Sequence, residues 1–187
     1  MKLLMNQSDL VFIESIQDIN EDEIRFAVGD CQLGKILLAV NKRGVCFVSI
    51  GDDIESIQRG LTEKFSRAVI KGNVNTIKPI IASIVNFIEN PLQTFNYPLD
   101  PRGTVFQQRV WQLIQTIPFG TTVSYSDIAQ IIASPKSVRA VAGACAANPL
   151  AIIIPCHRVV HRDGSLSGYR WGIERKRRLL EIEKLFY

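Results

Sequence analysis

Three short runs rich in Val, Ile and Leu mark the first part of the chain: Glu23–Val28, Gly34–Val40 and Val45–Ile50. Their length and β-branched content predict strands, and Asn41-Lys42-Arg43-Gly44 supplies the residues of a hairpin turn between the last two. The period then changes. Asp52 and Asp53 precede Ile54, Ile57, Leu61, Phe65 and Ala68, whose spacing predicts an amphipathic helix with acids at its start. A second helix is expected over Ile77–Glu89. It stops before Pro91, since proline disfavours the helical conformation in the residue ahead of it. Asn90–Arg102 holds Pro91, Pro98 and Pro101 and reads as an extended linker.

Beyond the linker the pattern is mainly helical. Thr104 with Gln107 fits a capping box for a helix carrying Val105, Phe106, Val110, Trp111 and Ile114. Pro118-Phe119-Gly120 breaks the chain. Ser124 with Asp127 is a second capping box, for a short helix through about Ala133. Ser134-Pro135-Lys136 makes a turn, and a third helix is expected from about Ser137 to Ala147, closed by Asn148-Pro149. The expected class is therefore α/β (α+β), with one part over residues 1–98 and another over residues 99–187.

At 187 residues and 47% hydrophobic content, the chain can bury a real core. The net charge of +4 is modest but unevenly spread. Lys136–Arg178 holds nine Lys and Arg against Asp163 and Glu174, whereas residues 1–135 are slightly acidic. A basic segment in a near-neutral chain is a footprint for a polyanion. Around Arg175-Lys176-Arg177-Arg178 the plainer reading, a solvated helix face, is preferred. The N-terminal MKLLMNQSDLVFIES has too short an apolar stretch for a signal peptide, and no window approaches a membrane span. Cys31, Cys46, Cys145 and Cys156 show no CxxC spacing and only His157 and His161 are available, so neither a zinc site nor a cofactor is expected. Unpaired thiols point to the reducing cytoplasm.

The chemistry centres on Ile154-Pro155-Cys156-His157-Arg158-Val159-Val160. A thiol is a good nucleophile as thiolate, and helix N-termini or neighbouring cations favour that form. If a helical turn begins at Pro155, Cys156 lies in its first turn, followed by His157 and Arg158. The alternative is a buried structural thiol packing as a small hydrophobe.

The two short helices before this motif have the size of a helix-turn-helix. The second reads Arg139-Ala140-Val141-Ala142-Gly143-Ala144-Cys145-Ala146-Ala147, without the spread of Asn, Gln and Arg that reads base edges in the major groove. Small residues permit close approach to a surface. Such a helix suits the minor groove, with Arg139 inserted into the base stack or taking the place of a displaced base. An Ala/Gly helix packed tightly in a core is the competing reading.

These pieces together resemble the O6-alkylguanine-DNA alkyltransferases, which repair alkylated guanine in DNA. The resemblance is carried by Phe106-Gln107-Gln108-Arg109-Val110-Trp111, Ile117-Pro118-Phe119-Gly120, Ser124-Tyr125, Pro135-Lys136 with Arg139-Ala140-Val141, Asn148-Pro149 and Ile154–Val159. Gly168-Tyr169-Arg170-Trp171-Gly172 and Leu179-Leu180 also fit, and roughly residues 24–183 are covered. The wording ACAANPLAIIIPCHRVV is especially similar to the C-terminal half of the family's bacterial adaptive-response member.

The resemblance implies a ribonuclease-H-like N-terminal unit and a mainly helical C-terminal unit with a helix-turn-helix. It implies Cys156 as alkyl acceptor, His157 as water-bridged base, Glu183 as the acid orienting that histidine, and Asn148 as the hinge between recognition helix and active site. By the same token Tyr125 and Arg139 drive the target nucleotide out of the duplex. Lys136, Ala140, Gly143 and Ala144 join them on the DNA side, and Tyr169, Val159 and Pro155 form the guanine pocket. The implied partner is double-stranded DNA containing alkylated guanine, bound through its minor groove by a monomer, with no membrane involved. The adaptive-response member's phosphotriester-repair domain, with its cysteine-bound zinc, has no counterpart in these residues. Repair of phosphate methyls and the gene-activating role are therefore not carried over.

The chemistry stands by itself as well. A soft thiolate attacks the alkyl carbon and expels guanine, helped if a phenol such as that of Tyr125 donates to the purine. The thioether formed is a poor leaving group, so the protein should act once. For Glu183 the plainer alternative is an exposed charge near the chain's end. Two other functions compete: a cysteine hydrolase using Cys156, His157 and Glu183, and a DNA-damage binder that performs no chemistry.

Overall fold

The computed structural model describes residues 10, 16, 18–72, 75–90 and 93–185. Apart from Leu10, the stretch read against a signal peptide lies outside them, as does Pro91. The chain divides into two compact units, Met1–Asp100 and Pro101–Tyr187.

In the first unit β1 (Glu23–Cys31), β2 (Gly34–Asn41) and β3 (Gly44–Gly51) form an antiparallel meander. Helix α1 (Ile54–Lys64) follows, then β4 (Val69–Lys71), which pairs parallel with β1 and completes the order β3-β2-β1-β4. Helix α2 (Lys78–Glu89) ends the series. Phe26, Ala39 and Phe47 pair across the strands and share a core with Ile57 and Leu61 of α1. The opposite face carries Gly29, where a Cβ would fall 2.6 Å from Ile81 of α2. Strand β2 is thus covered on both sides, which is why Ile36-Leu37-Leu38-Ala39-Val40 is continuously apolar rather than alternating. Asp53 caps α1 as its position suggested, its carboxylate accepting from the Ser56 amide at 2.7 Å.

Two features depart from the sequence reading. Strand β4 was not expected: it has three residues, too few for a pattern, and exists because β1 offers an edge. The segment read as a linker is partly structural, since the Val45 amide donates to the Pro98 carbonyl at 2.8 Å and Asp100 donates back to Val45 at 2.9 Å. These bonds cover the outer edge of β3. Gly44 permits the approach, as a Cβ there would lie 2.5 Å from the Pro98 oxygen.

The second unit contains α3 (Val105–Gln115), β5 (Val123–Ser124), α4 (Tyr125–Ile131), α5 (Val138–Ala146), β6 (Val159–Val160) and α6 (Ile173–Leu185). Both expected capping boxes form, Thr104 with Gln107 and Ser124 with Asp127. Trp111 is buried and donates its indole N–H to the Ala144 carbonyl at 2.8 Å, locking α3 to α5. The short parallel pair β5–β6 decides the site: it ties the residues just before Tyr125 to those just after the Cys156 turn. Among the described residues no helix is long and apolar enough to cross a membrane.

Candidate active site and nucleic-acid interface

Cys156 is 3% exposed and lines a cavity of about 580 Å³, within the usual size for small-ligand sites. Tyr125 from α4, Arg139, Ala142 and Cys145 from α5, and Ser167 and Tyr169 from the loop before α6 share that cavity. The expected helical start at Pro155 is not what forms. Cys156–Arg158 is a single 3₁₀ turn, and the Cys156 amide is already bonded to the Ile154 carbonyl at 2.7 Å. Nor is the thiol acidified. Burial pushes it up to about 11, against the opposing pull of the Asn148 hydrogen bond, Lys176 and Arg170. Cys156 therefore rests as the neutral thiol and must lose its proton during reaction.

Asn148 is fully buried at the end of α5 and organises the loop leading to Cys156. Its Nδ2 donates to the Ile154 carbonyl at 2.8 Å and to Cys156 Sγ at 3.2 Å, while its Oδ1 accepts from the Leu150 amide at 2.8 Å. Between them Ile152 holds φ of 69°, an unusual conformation for a β-branched residue. The side-chain amide fixes this strained loop and sets the thiol's position.

Behind the thiol lies an ionic cluster. His157 Nε2 bonds Glu183 Oε1 at 2.7 Å, and Arg158 Nε lies 3.0 and 3.1 Å from the two oxygens of that carboxylate. The Gly120 amide also donates to Glu183 at 3.1 Å. Glu183 is thus no exposed end-of-chain charge; it is 3% exposed. Burial alone would raise its pKa, but the His157 and Arg158 contacts outweigh it and hold the carboxylate ionised. Burial lowers the pKa of His157 despite that carboxylate, so the imidazole rests neutral. An ionised Glu183 accepts from Nε2–H, which leaves Nδ1 as the acceptor nitrogen.

Tyr125 Oη lies 2.5 Å from Ser167 Oγ, which in turn accepts from Lys176 Nζ at 2.7 Å. Lys176 also donates to the Val159 carbonyl at 2.6 Å and is fully buried. The run Arg175–Arg178 is therefore not a uniformly solvated face. Arg177 and Arg178 are exposed and pair with Glu174 and Glu181, but Lys176 faces inward with Leu179, Ile182 and Glu183. That spacing of three and four residues was the available signal, masked by the surrounding charges. Ser167, Cys145, His161 and Arg170 also escaped the sequence reading, since only folding brings them to the site.

Of the residues expected to meet DNA, Arg139, Lys136, Ala140 and Gly143 are exposed. Ala144 is not. It is 1% exposed, on the inner face of α5 with Val141, Cys145 and Asn148, because positions three or four apart share a helix face. Gly143 needs no glycine for internal packing, as a Cβ there would meet nothing within 4 Å. Its smallness faces outward, which argues against the tightly packed alternative. Tyr169 lines the cavity as expected, but Pro155 and Val159 do not: both are buried, Val159 within β6 with its carbonyl held by Lys176.

The chain is similar to known proteins over most of its length. Residues 105–185 match the family described as 6-O-methylguanine DNA methyltransferase, DNA binding domain. The chain is 50% identical over 167 residues to the bifunctional transcriptional activator/DNA repair enzyme Ada of Escherichia coli, covering 86% of this chain and 45% of that protein. It thus spans a little under half of that relative's length. It is 39% identical to the inducible methylated-DNA–protein-cysteine methyltransferase of Bacillus subtilis, covering 79% of this chain and 83% of the relative. The crystal structure of Mycobacterium tuberculosis OGT in complex with DNA superimposes with a TM-score of 0.74 at 36% identity, covering 86% of this chain and 93% of that one.

Proposed function

The chain belongs to the methylated-DNA–protein-cysteine methyltransferase family, and on that premise we propose that it repairs DNA by direct reversal, moving the alkyl group of O6-alkylguanine onto Cys156. One observation carries this reading. A buried thiol, hydrogen-bonded by Asn148, opens into a cavity whose wall is the small-residue helix α5.

Helix α5 presents Ala140, Gly143 and Arg139 to the minor groove, where small side chains allow close approach and Arg139 takes the place of the displaced base. A guanine within duplex is out of reach of Sγ, so the nucleotide is extruded into the cavity at a cost of a few kcal/mol. His157 takes the thiol proton through a water, becoming an imidazolium held by Glu183. The sulfur pair forms the S–C bond and the C–O pair returns to the purine. Tyr125 donates a proton to the departing base, and Ser167 and Lys176 replenish it along their hydrogen bonds. The S-alkylcysteine is a thioether and does not leave, so each molecule acts once. Every residue invoked belongs to residues 101–187 of one chain, so a monomer suffices. The chemistry needs Cys156 reduced, which suits the cytoplasm.

The test is mass spectrometry after incubation with O6-methylguanine duplex. A gain of one methyl, located on Cys156, is expected. Methyl release beyond one per protein would indicate a hydrolase, and binding without any methyl gain would indicate a damage binder; either overturns the reading.

A further inference from the structure

The buried side-chain polar atoms without a hydrogen-bond partner, among the described residues, are two: His157 Nδ1 and Tyr169 Oη. They belong to neighbouring rings, whose centroids are 6.5 Å apart at an interplanar angle of 85°. Leaving a buried polar atom unpaired is costly, so two on neighbouring rings call for a shared partner. Nδ1 is the acceptor nitrogen, because Nε2–H is committed to Glu183. A phenol can donate. An acceptor and a donor left unpaired on neighbouring buried rings suit one water molecule, which can accept from the phenol and donate to the ring.

We propose that the Tyr169 hydroxyl is a positioning group for proton removal, orienting the water that links Cys156 Sγ to His157 Nδ1. This deepens the alkyl-transfer reading and rests on it for its purpose. The water oxygen accepts Sγ–H and the Tyr169 O–H and donates one hydrogen to Nδ1. As the S–C bond forms, the thiol proton passes to the water and a water proton passes to Nδ1. Tyr169 keeps its own proton throughout. Burial keeps its pKa well above the ordinary value, and the ring lines the same cavity as Cys156. The aromatic ring, stacked edge-on with Trp171 at 5.1 Å, is the cavity wall; the hydroxyl has this separate task.

Tyr169→Phe keeps the wall and removes the hydroxyl. In the full chain, carboxamidomethylation of Cys156 by iodoacetamide followed across pH 6–11 should show a rate about tenfold lower on the neutral side, with the midpoint displaced upward. Single-turnover methyl transfer should slow by about the same factor. His157→Asn combined with Tyr169→Phe should be no slower than His157→Asn alone, because both act through one water. The ¹⁵N resonance of Nδ1 should move in Tyr169→Phe, a readout that a purely packing role would leave alone. An unchanged thiol profile, or additive losses in the double variant, overturns the proposal. The thiol titration uses no DNA, so its result does not depend on whether Cys156 accepts an alkyl group.

Discussion

The two units of this protein handle buried polarity in opposite ways. In Met1–Asp100 the buried polar side chains among the described residues are Glu23, Asn41 and Ser49, and the one charge among them is answered from the surface. Arg25 and Lys71 reach Glu23 at 2.6 and 2.8 Å while keeping contact with solvent. In Pro101–Tyr187 Asn148, His157, Arg158, Ser167, Lys176 and Glu183 are all buried. Lys176 has no carboxylate partner among the described residues and is satisfied by a carbonyl and a hydroxyl instead. Buried charges are costly even when paired, and seldom the most stable way to fill a core. The first unit is built for stability. The second keeps a cluster of buried ionisable groups around a thiol.

The difference between the units is greatest at the nucleophile. Cys156→Ala should eliminate methyl uptake from labelled duplex while binding persists in a filter or anisotropy assay, and any residual uptake would place the acceptor elsewhere. Next comes Glu183→Gln, which leaves Arg158 buried without its counter-charge and should cost about 3–5 kcal/mol of stability in urea melts, besides slowing transfer roughly a hundredfold. The wild-type pH dependence has a definite sign. Glu183 titrates below its ordinary 4.5 when folded, so its stabilisation is complete above that value and is lost as pH falls through the folded one. His157 titrates below 6.5 when folded. As pH falls from there, the unfolded chain takes up a proton that the folded chain refuses, and stability declines. Glu183→Gln should lose the first component and keep the second.

Lys176→Met probes the same difference from the side of the lone cation. Removing an unpaired buried charge is worth about 1–4 kcal/mol, but freeing the Val159 carbonyl and Ser167 hydroxyl costs about as much. Stability should therefore change little, while methyl transfer falls about tenfold and the Cys156 midpoint moves above its value of about 11. A variant equal to wild type in rate would show Lys176 to be packing only. Gly143→Leu should raise stability by about 0.5–1 kcal/mol, since a helical glycine is replaced where space is open, yet weaken duplex binding through lost approach. Unchanged affinity would remove α5 from the DNA face. The smallest effect belongs to the first unit: Asp53→Ala should cost about 1 kcal/mol through the lost cap of α1 and leave transfer untouched.

Much was legible in the residues themselves. Local rules are written in neighbours, so the three strands, both capping boxes, the acids at the start of α1 and the glycine-alanine helix follow from short windows. The Pro-Cys-His-Arg motif pointed to Cys156 and His157, and the family resemblance added Asn148 and Glu183, which the fold brings together with them. Where the reading failed, the deciding contact was remote. Strand β4 needs the edge of β1, and Ala144 lies on the buried face of α5 with Val141 and Cys145. Lys176 looked solvated until α6 was seen to lay it beneath Val159 and Ser167. The resting protonation of Cys156 is the plainest case: adjacency to His157 and Arg158 suggested a thiolate, and burial made it a thiol. Sequence determines which groups are present and how each short stretch bends. Desolvation and long-range pairing depend on what the folded chain packs around a group, so charge state and cavity were decided by tertiary structure alone.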